Sequence, residues 1–511
     1  MSVITFYRGC EQIQRTFSGR PSLRSLLLEA GLPFPMPCGG NHTCGKCKVR
    51  CAGQLAPPCA EEAERLSPEE RSQGIRLACY VQVLGDASVW LPEQEVDTLS
   101  AVVLPAHTLR KKGWGLAVDI GTTTVAAQLY RLEDGRIYGE ALGANEQAGF
   151  GADVISRIEH SNQHGVAPLT ECIHQQLERM AASCMAQAGV SALDCAVVTG
   201  NTTMLHFWEG LDPRGIAVAP FVPVSLFGGP GACTLGGVPP YLPPCLGAYV
   251  GADITCAVLA SGLMDHPEET ALLIDLGTNG EIVLAHGGTL YCASTAMGPA
   301  FEGAGLSCGM QAAPGAITAI RPDGRGGVTV EVLGSGAAEG LCGSGVLDAA
   351  AALLELGIMD ETGLLDDEAP GITQREELSA WQIPGTQVFL TQKDIRQIQL
   401  AKAAVCAGIC TLLEEAGLTP EEVDRLYIAG GFGHHMNRDS AARIGLFPPV
   451  LAPRARVLGN AALAGAAAVL LDEAFLDTLS AIRSRAREIP LSGNRLFSEY
   501  YMEHMLFASE S

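Results

Sequence analysis

The sequence predicts an α/β protein in two unequal parts: a small N-terminal domain that carries a cysteine loop, and a larger domain built from two related halves. Three observations support this. Three cysteines crowd a glycine-rich loop and a fourth follows at a distance. A strand–Asp–x–Gly–Thr turn occurs twice, 156 positions apart. From Trp114 onward, apolar strands that end in glycine turns alternate with helical stripes.

Length and composition set the outer bounds. A chain of 511 residues has room for about three domains. At 47% hydrophobic and 17% charged it can bury large cores. A net charge of −23 argues against nucleic acid, whose binding needs Lys and Arg to neutralise phosphates. It leaves room for an acidic nucleotide held locally by backbone amides and a metal ion. No apolar run is long enough for a membrane helix, and the best candidate, Ala461–Leu471, is too short. Residues 1–18 lack a basic start and an apolar run, so no secretory signal is expected. With eighteen cysteines, this points to a reducing cytoplasm.

Residues 1–95 form the first expected domain. Ser2–Tyr7 alternates as a strand and Ile13–Phe17 pairs with it. Ser22–Ala30 is a short helix stopped by Gly31. Ser67-Pro68-Glu69-Glu70 opens another helix, with Ser67 as N-cap and Glu70 completing a capping box. Tyr80–Val83 and Ala87–Leu91 read as two strands. Between them lies the chemistry. Cys38, Cys44 and Cys47 stand as Cys-x5-Cys-x2-Cys, and Cys79 follows thirty-two positions later. Glycines in the loop let the backbone wrap closely round inorganic sulfide. A structural zinc site usually shows two tight cysteine pairs, and only Cys44 and Cys47 form one. Disulfides suit secreted chains. A [2Fe–2S] cluster on Cys38, Cys44, Cys47 and Cys79 is the favoured reading. Cys51 and Cys59 are bystanders.

Residues 96–113 read as a linker, residues 114–490 as the larger two-lobed domain and residues 491–511 as a C-terminal tail. Leu116–Asp119 and Thr124–Tyr130 are strands, joined onward by a turn at Glu133-Asp134-Gly135. A helix carries the stripe Ile173, Leu177, Met180, Cys184, and Cys195–Val198 is a strand. The pattern restarts at Ala271–Asp275, with strands at Ile282–Leu284 and Thr289–Cys292. A long helix spans Arg396–Ala416, and a strand at Leu426–Ala429 ends in a glycine turn.

The two turns are Val118-Asp119-Ile120-Gly121-Thr122-Thr123-Thr124 and Ile274-Asp275-Leu276-Gly277-Thr278-Asn279-Gly280-Glu281. Glycine and exposed amides fit such turns to phosphate oxygens. Threonine hydroxyls add donors. An Asp at each strand end can orient Mg²⁺, usually through water. Two such hairpins face to face can cradle a triphosphate.

Further segments fall in order: Val198-Thr199-Gly200-Asn201-Thr202-Thr203 between the hairpins, Ile428-Ala429-Gly430-Gly431-Phe432-Gly433 after the second, and the small-residue run Leu458–Ala466. The order resembles the acetate and sugar kinase/Hsp70/actin superfamily: phosphate 1, connect 1, phosphate 2, adenosine, connect 2. That resemblance implies an actin-like ATPase with ATP in a cleft between hinged lobes. Carried over by position, Asp119 and Asp275 serve Mg²⁺. Gly121, Thr122, Thr123, Gly277, Thr278 and Asn279 hold phosphates, and Gly430, Gly431 and Phe432 border the adenosine. Asn201 is the candidate for positioning water, with Glu281 as its alternative. Gly340–Asp348 is either a nucleotide contact or an ordinary glycine-rich helix entry. The N-terminal domain resembles the β-grasp ferredoxins, and its five-residue first gap is similar to the adrenodoxin type.

The combination resembles reductive activators of corrinoid-dependent enzymes, and Ser294–Ala304 is similar to that family's segment after phosphate 2. The resemblance implies an ATP-dependent one-electron transfer that returns the Co(II) corrinoid of a methyltransferase-system corrinoid protein to Co(I). It also implies a low-potential electron donor (a ferredoxin, a flavodoxin or a reductase) and a possible homodimer. Two rivals share parts of the pattern. One is an activator of a radical dehydratase or aryl-CoA reductase, which holds a [4Fe–4S] cluster between subunits. The other is a kinase-like ATPase that uses its ferredoxin module for docking. One departure is expected. Some members place a separate middle domain before phosphate 1, where this chain has only about eighteen residues.

Overall fold

Alternating burial folds the N-terminal domain into one sheet. Its strands are β1 (Ser2–Arg8), β2 (Glu11–Phe17), β3 (Lys48–Leu55), β4 (Ile75–Leu77) and β5 (Val83–Leu91), in the order β2-β1-β5-β3-β4. β1 runs parallel to β5, and the other pairings are antiparallel. The helix Leu23–Glu29 closes over a core of Ile4, Phe6, Leu23, Leu26, Val49, Leu77 and Val89. This is the expected β-grasp arrangement. The computed structural model describes the chain apart from residues 1, 9–10, 31, 33, 35–41, 43–44, 46, 92–103, 106, 110, 304, 335, 376, 431–435 and 508–511.

Two local expectations meet different outcomes. The Ser67 capping box forms: Glu70 N donates to Ser67 Oγ (3.1 Å) and Ser67 N to Glu70 Oε2 (2.9 Å). The two strands expected at Tyr80–Val83 and Ala87–Leu91 are instead one, β5. Its inward positions Val83, Gly85, Ala87, Val89 and Leu91 keep the period of two through Gly85-Asp86, and Tyr80 lies in the preceding turn.

A buried ion pair holds the approach to Cys79. Arg76 Nε and Nη2 each donate to the Glu62 carboxylate at 2.8 Å, and Leu77 N adds a third bond at 2.9 Å. The Glu62 side chain is 1% exposed. Arg76→Ala would leave that carboxylate buried without its cation. We expect it to cost the N-terminal domain about 3–5 kcal/mol, read as a lower temperature for loss of the visible cluster absorption. An unchanged transition would contradict this role.

The larger domain contains two sheets of matching topology. The first joins β6 (Trp114–Ile120), β7 (Thr124–Arg131), β8 (Arg136–Ala144), β9 (Cys195–Gly200), β10 (Gly229–Pro230) and β11 (Tyr241–Leu242), in the order β10-β11-β9-β6-β7-β8. The second begins with β12 (Ala271–Leu276), β13 (Gly280–His286) and β14 (Thr289–Thr295). Two small sheets intervene: β15 (Ala316–Pro322) with β16 (Val328–Val332) and β17 (Gly340–Leu341), then β18 (Ile372–Arg375) with β19 (Leu378–Gln382) and β20 (Phe389–Thr391). The second sheet resumes with β21 (Arg425–Ala429), β22 (Ala455–Gly459) and β23 (Ala486–Glu488), in the order β22-β21-β12-β13-β14-β23. In each half an antiparallel meander, β6-β7-β8 or β12-β13-β14, is flanked at its first strand by a parallel partner, β9 or β21. The repeat seen in sequence is therefore a repeat of topology.

Two small-residue helices meet between the halves. Ala252–Ser261 packs on Ala461–Leu471, and both belong to an apolar cluster that draws on both sheets. At Gly465 a Cβ would run into the Cys256 backbone, so only glycine permits this approach. Val198–Thr203, the expected first connecting segment, is instead the end of β9 and the start of the helix Thr202–Glu209. The structure gives the partner of Ala461–Leu471 as the helix after Gly251, because Cys256 and Ala257 present the small face that fits it. Residues 491–511, read as a tail, contain the helix Arg495–Glu503, which packs along the long helix Gln392–Ala416. Its Phe497 and Tyr501 rest on the second lobe's core.

Candidate functional site

The two Asp-x-Gly-Thr turns meet. Asp119 ends β6 beside Thr199 of β9, and Asp275 ends β12 beside Ala429 of β21. The turns touch through their threonines. Thr123 Oγ1 and Thr278 Oγ1 are 3.2 Å apart, and each donates to Glu302 Oε2 at 3.0 Å. The Gly277 amide donates to the Asn279 carbonyl (3.0 Å), which closes the second turn. Gly430 has φ +109°, and a Cβ there would strike the Leu276 carbonyl. Glycine therefore lets the end of β21 lie against the second turn. Gly431 and Phe432 lie outside the described residues.

The first turn is braced from behind. Asn145 Nδ2 donates to the Gly121 carbonyl (2.8 Å) and Arg157 Nη2 to the Thr122 carbonyl (2.7 Å). Asn201 Nδ2 donates to Thr122 Oγ1 (2.9 Å), while its Oδ1 accepts from Met204 N (3.0 Å) and caps the helix Thr202–Glu209. Both ends of the Asn201 amide are thus engaged in holding the turn. Gly340–Asp348 enters the buried helix Gly343–Glu355, where Ser344 donates to the Thr318 carbonyl (2.8 Å) and Asp348 accepts from Ile320 N (3.2 Å).

Electrostatics mark the cleft floor. Asp119, Asp253, Asp275 and Glu281 are each half-buried, and burial is the leading cause of a raised pKa at all four. Asp119 is pushed up to about 6, with the Asn460 amide (3.0 Å from its Oδ2) pulling the other way. Asp275 is pushed up to about 7 by burial and by Asp119. Asp253 rises to about 8 through burial, Asp119 and Asp275. Glu281 also rises, through burial, Asp253 and Asp275. Clustered carboxyls held up by burial, with Asp119 adding to the rise at Asp253 and Asp275, are the oxygen donor set a hard divalent cation needs, so these residues fit Mg²⁺.

Asp253, Glu302, Asn145, Arg157 and Asn460 were not singled out by sequence reasoning. The small-residue helix that opens at Gly251-Ala252-Asp253 was the available signal for the first. Asn460 stood in the Leu458–Ala466 run but was assigned no role.

The raised carboxyls predict a pH effect. In the cation-free folded protein they hold protons that an unfolded Asp, with its ordinary pKa of 3.8, has released. Between about pH 4 and pH 8 the unfolded chain binds fewer protons, so stability falls as pH rises. Their contribution is complete below about pH 4 and lost as pH climbs through 6 to 8. Tm in chelator should drop from about pH 5 to pH 8, and saturating Mg²⁺ should flatten the slope. A slope of opposite sign would contradict the assignment.

In the N-terminal domain, Cys47 is buried and Cys79 half-buried, with their Sγ atoms 3.3 Å apart. That is far beyond a disulfide bond and suits two corners of a tetrahedral iron. Cys47 O accepts from Ala78 N (2.8 Å), His42 Nε2 bonds the Cys79 carbonyl (3.0 Å), and the His42 ring stacks on Tyr80 (4.1 Å). Cys38 and Cys44 lie outside the described residues. Burial pushes the Cys51 thiol up to about 12, which keeps it protonated and apart from the ligand set.

A cysteine-ligated redox domain joined to a duplicated ATPase-type fold defines an iron–sulfur electron-transfer protein of the actin-like superfamily. Comparison with known proteins narrows this. The 2Fe-2S iron-sulfur cluster binding domain matches residues 11–84, the RACo middle region residues 114–266, and the C-terminal domain of RACo, the ASKHA domain, residues 269–511. The corrinoid activation enzyme RamQ of Eubacterium limosum is 34% identical over 434 residues, which is 79% of this chain and 72% of RamQ. The Co(II) methylated amine-specific corrinoid protein reductase of Methanosarcina barkeri is 25% identical, covering 76% of each chain. A solved reductive activator for corrinoid, iron-sulfur protein is 28% identical with a TM-score of 0.71, covering 99% of this chain and 98% of that one. The chain belongs to this RACo family of corrinoid reductive activators. The RACo middle region matches residues 114–266, which hold Asp119 and the first Asp-x-Gly-Thr turn, and not the eighteen residues before them. Among the described residues no helix is long and apolar enough to cross a membrane.

Proposed function

We propose that this chain passes one electron from its N-terminal domain to the Co(II) corrinoid of a methyltransferase-system partner and restores Co(I), in a step driven by ATP in the cleft. The observation that carries the reading is the meeting of the two Asp-x-Gly-Thr turns beside four carboxyls that burial raises, in a chain that also brings Cys47 and Cys79 together. Bound at Cys38, Cys44, Cys47 and Cys79, a [2Fe–2S] cluster supplies a one-electron couple. Mg²⁺ held through water by Asp119, Asp253 and Asp275 supplies charge neutralisation.

The chain's own residues perform the remaining tasks. Gly121, Thr122, Thr123, Gly277, Thr278 and Asn279 offer amides and hydroxyls to phosphate, and Gly430, Gly431 and Phe432 border the base. Glu302 accepts from the two threonine hydroxyls that phosphate oxygens would otherwise engage, so nucleotide entry has to move it aside. Asn201 is a positioning residue for Thr122.

Co(I) lies uphill of an ordinary iron–sulfur donor. For one electron about 59 mV corresponds to about 1.4 kcal/mol, so a few kcal/mol of differential binding moves the effective potential by a few hundred millivolts. ATP helps only by favouring one conformation of the complex over another. Lobe closure about Gly465 would reshape the face docked on the corrinoid protein and weaken an axial cobalt ligand, and hydrolysis would reset it. A contact already links the parts: Arg24 Nε donates to the Gly149 carbonyl (3.1 Å), at the end of the turn that Asn145 opens behind Gly121. The relatives matched along both parts are corrinoid activators, which favours this reading over the dehydratase and kinase alternatives.

The test is ATP turnover with a corrinoid protein held as Co(II) or fully methylated. The reading expects stimulation by the Co(II) form. Equal turnover with both, or transfer of phosphate to a small substrate, would overturn it.

A further inference from the structure

Away from the cleft and the cluster loop, the long helix Gln392–Ala416 carries Cys406 and Cys410 one turn apart on a single face. His504 meets them from the end of the helix Arg495–Glu503, where it forms the C-cap. Cys410 Sγ and His504 Nε2 are 3.4 Å apart, and the donor atoms of Cys406, Cys410 and His504 all lie within 4.8 Å of one another. Cys406 is buried and the other two are half-buried.

We propose that Cys406, Cys410 and His504 form a binding site for a thiophilic divalent ion, Zn²⁺, which clasps the C-terminal helix to the long helix of the second lobe. Two thiolates and an imidazole are the donors that select Zn²⁺ over the hard Mg²⁺ of the cleft. With metal–ligand lengths of about 2.1 and 2.3 Å, the sulfur–nitrogen edge of a tetrahedron is roughly 3.6 Å, so the 3.4 Å separation already suits a shared ion. Water can complete the tetrahedral set beside these three donors.

The surroundings give such a clasp a purpose. The segment after His504 is tied to the same helix by Gln399 Nε2 on the Met505 carbonyl (3.0 Å), by Lys402 Nζ on the Leu506 carbonyl and by Lys402 over the Phe507 ring. The neighbouring Val405 packs against Gly280, the first residue of β13 after the second turn. An ion at Cys406, Cys410 and His504 would therefore fix the helix that supports the turn.

The experiment uses the full chain, purified anaerobically with its iron–sulfur centre intact and dialysed against Zn²⁺. Elemental analysis should find one zinc per chain, and the zinc K-edge spectrum, to which iron does not contribute, should show two sulfur neighbours. Zinc should raise Tm in the parent by linkage. Cys410→Ser and, at the less buried position, His504→Asn should each weaken retention by roughly tenfold or more and abolish the Tm rise. Zinc retained undiminished by both variants, a K-edge shell of only nitrogen and oxygen, or no zinc in the parent would overturn the site.

Discussion

An Asp119→Asn protein is expected to keep its iron–sulfur absorption, lose ATP-linked cobalt reduction and melt at a higher temperature than the parent in chelator at about pH 8. The side chains have the same shape, so β6 and its pairing with β9 survive. What disappears is one negative charge at the cleft floor. That charge helps to raise the pKa of Asp253 and Asp275. Its removal lowers both toward ordinary values and relieves repulsion in the cation-free state. The same loss weakens the hold on Mg²⁺, by about 10–100-fold for a carboxylate that acts through water. Activity and cation-free stability should thus move in opposite directions, as expected where a site is strained for function. Titration calorimetry with Mg·ATP and a thermal scan in chelator read the two effects on one sample. Weakened binding with lowered stability would show Asp119 to be a structural residue only.

The second large effect is expected at Cys47. Cys47→Ser replaces a buried sulfur beside Cys79 with a poorer iron ligand. Iron and acid-labile sulfide should fall from two of each per chain toward zero, and the paramagnetic signal of the reduced protein should vanish. Cobalt reduction should fall to background with or without ATP. Nucleotide binding should persist, because both phosphate turns belong to the other domain. Retention of a full cluster in Cys47→Ser would exclude Cys47 as a ligand.

Much of this was legible in the sequence because the informative features are local. Apolar–polar alternation gives strands, Ser67-Pro68 gives a helix start, and Asp-x-Gly-Thr marks a strand end meant for phosphate. The duplicated turns foretold the duplicated meanders. What stayed hidden depends on residues far apart in the chain. Asp253 reaches the cleft only because a small-residue helix lets it approach the floor. Glu302 matters only once Thr123 and Thr278 are known to touch. Arg157 lies on a helical stripe that looks like an ordinary solvent face, yet it is fully buried beneath the first turn. β5 is one strand where two are expected, because the inward period of two continues across Gly85-Asp86.

The most direct test mixes the chemically reduced protein with a Co(II) corrinoid protein, anaerobically, and follows Co(I) formation in a single turnover with ATP, with ADP and with no nucleotide. The account predicts about one Co(I) per chain with ATP and little with ADP or none. The same Co(I) yield in all three would contradict it, since the electron would then pass without any contribution from the cleft.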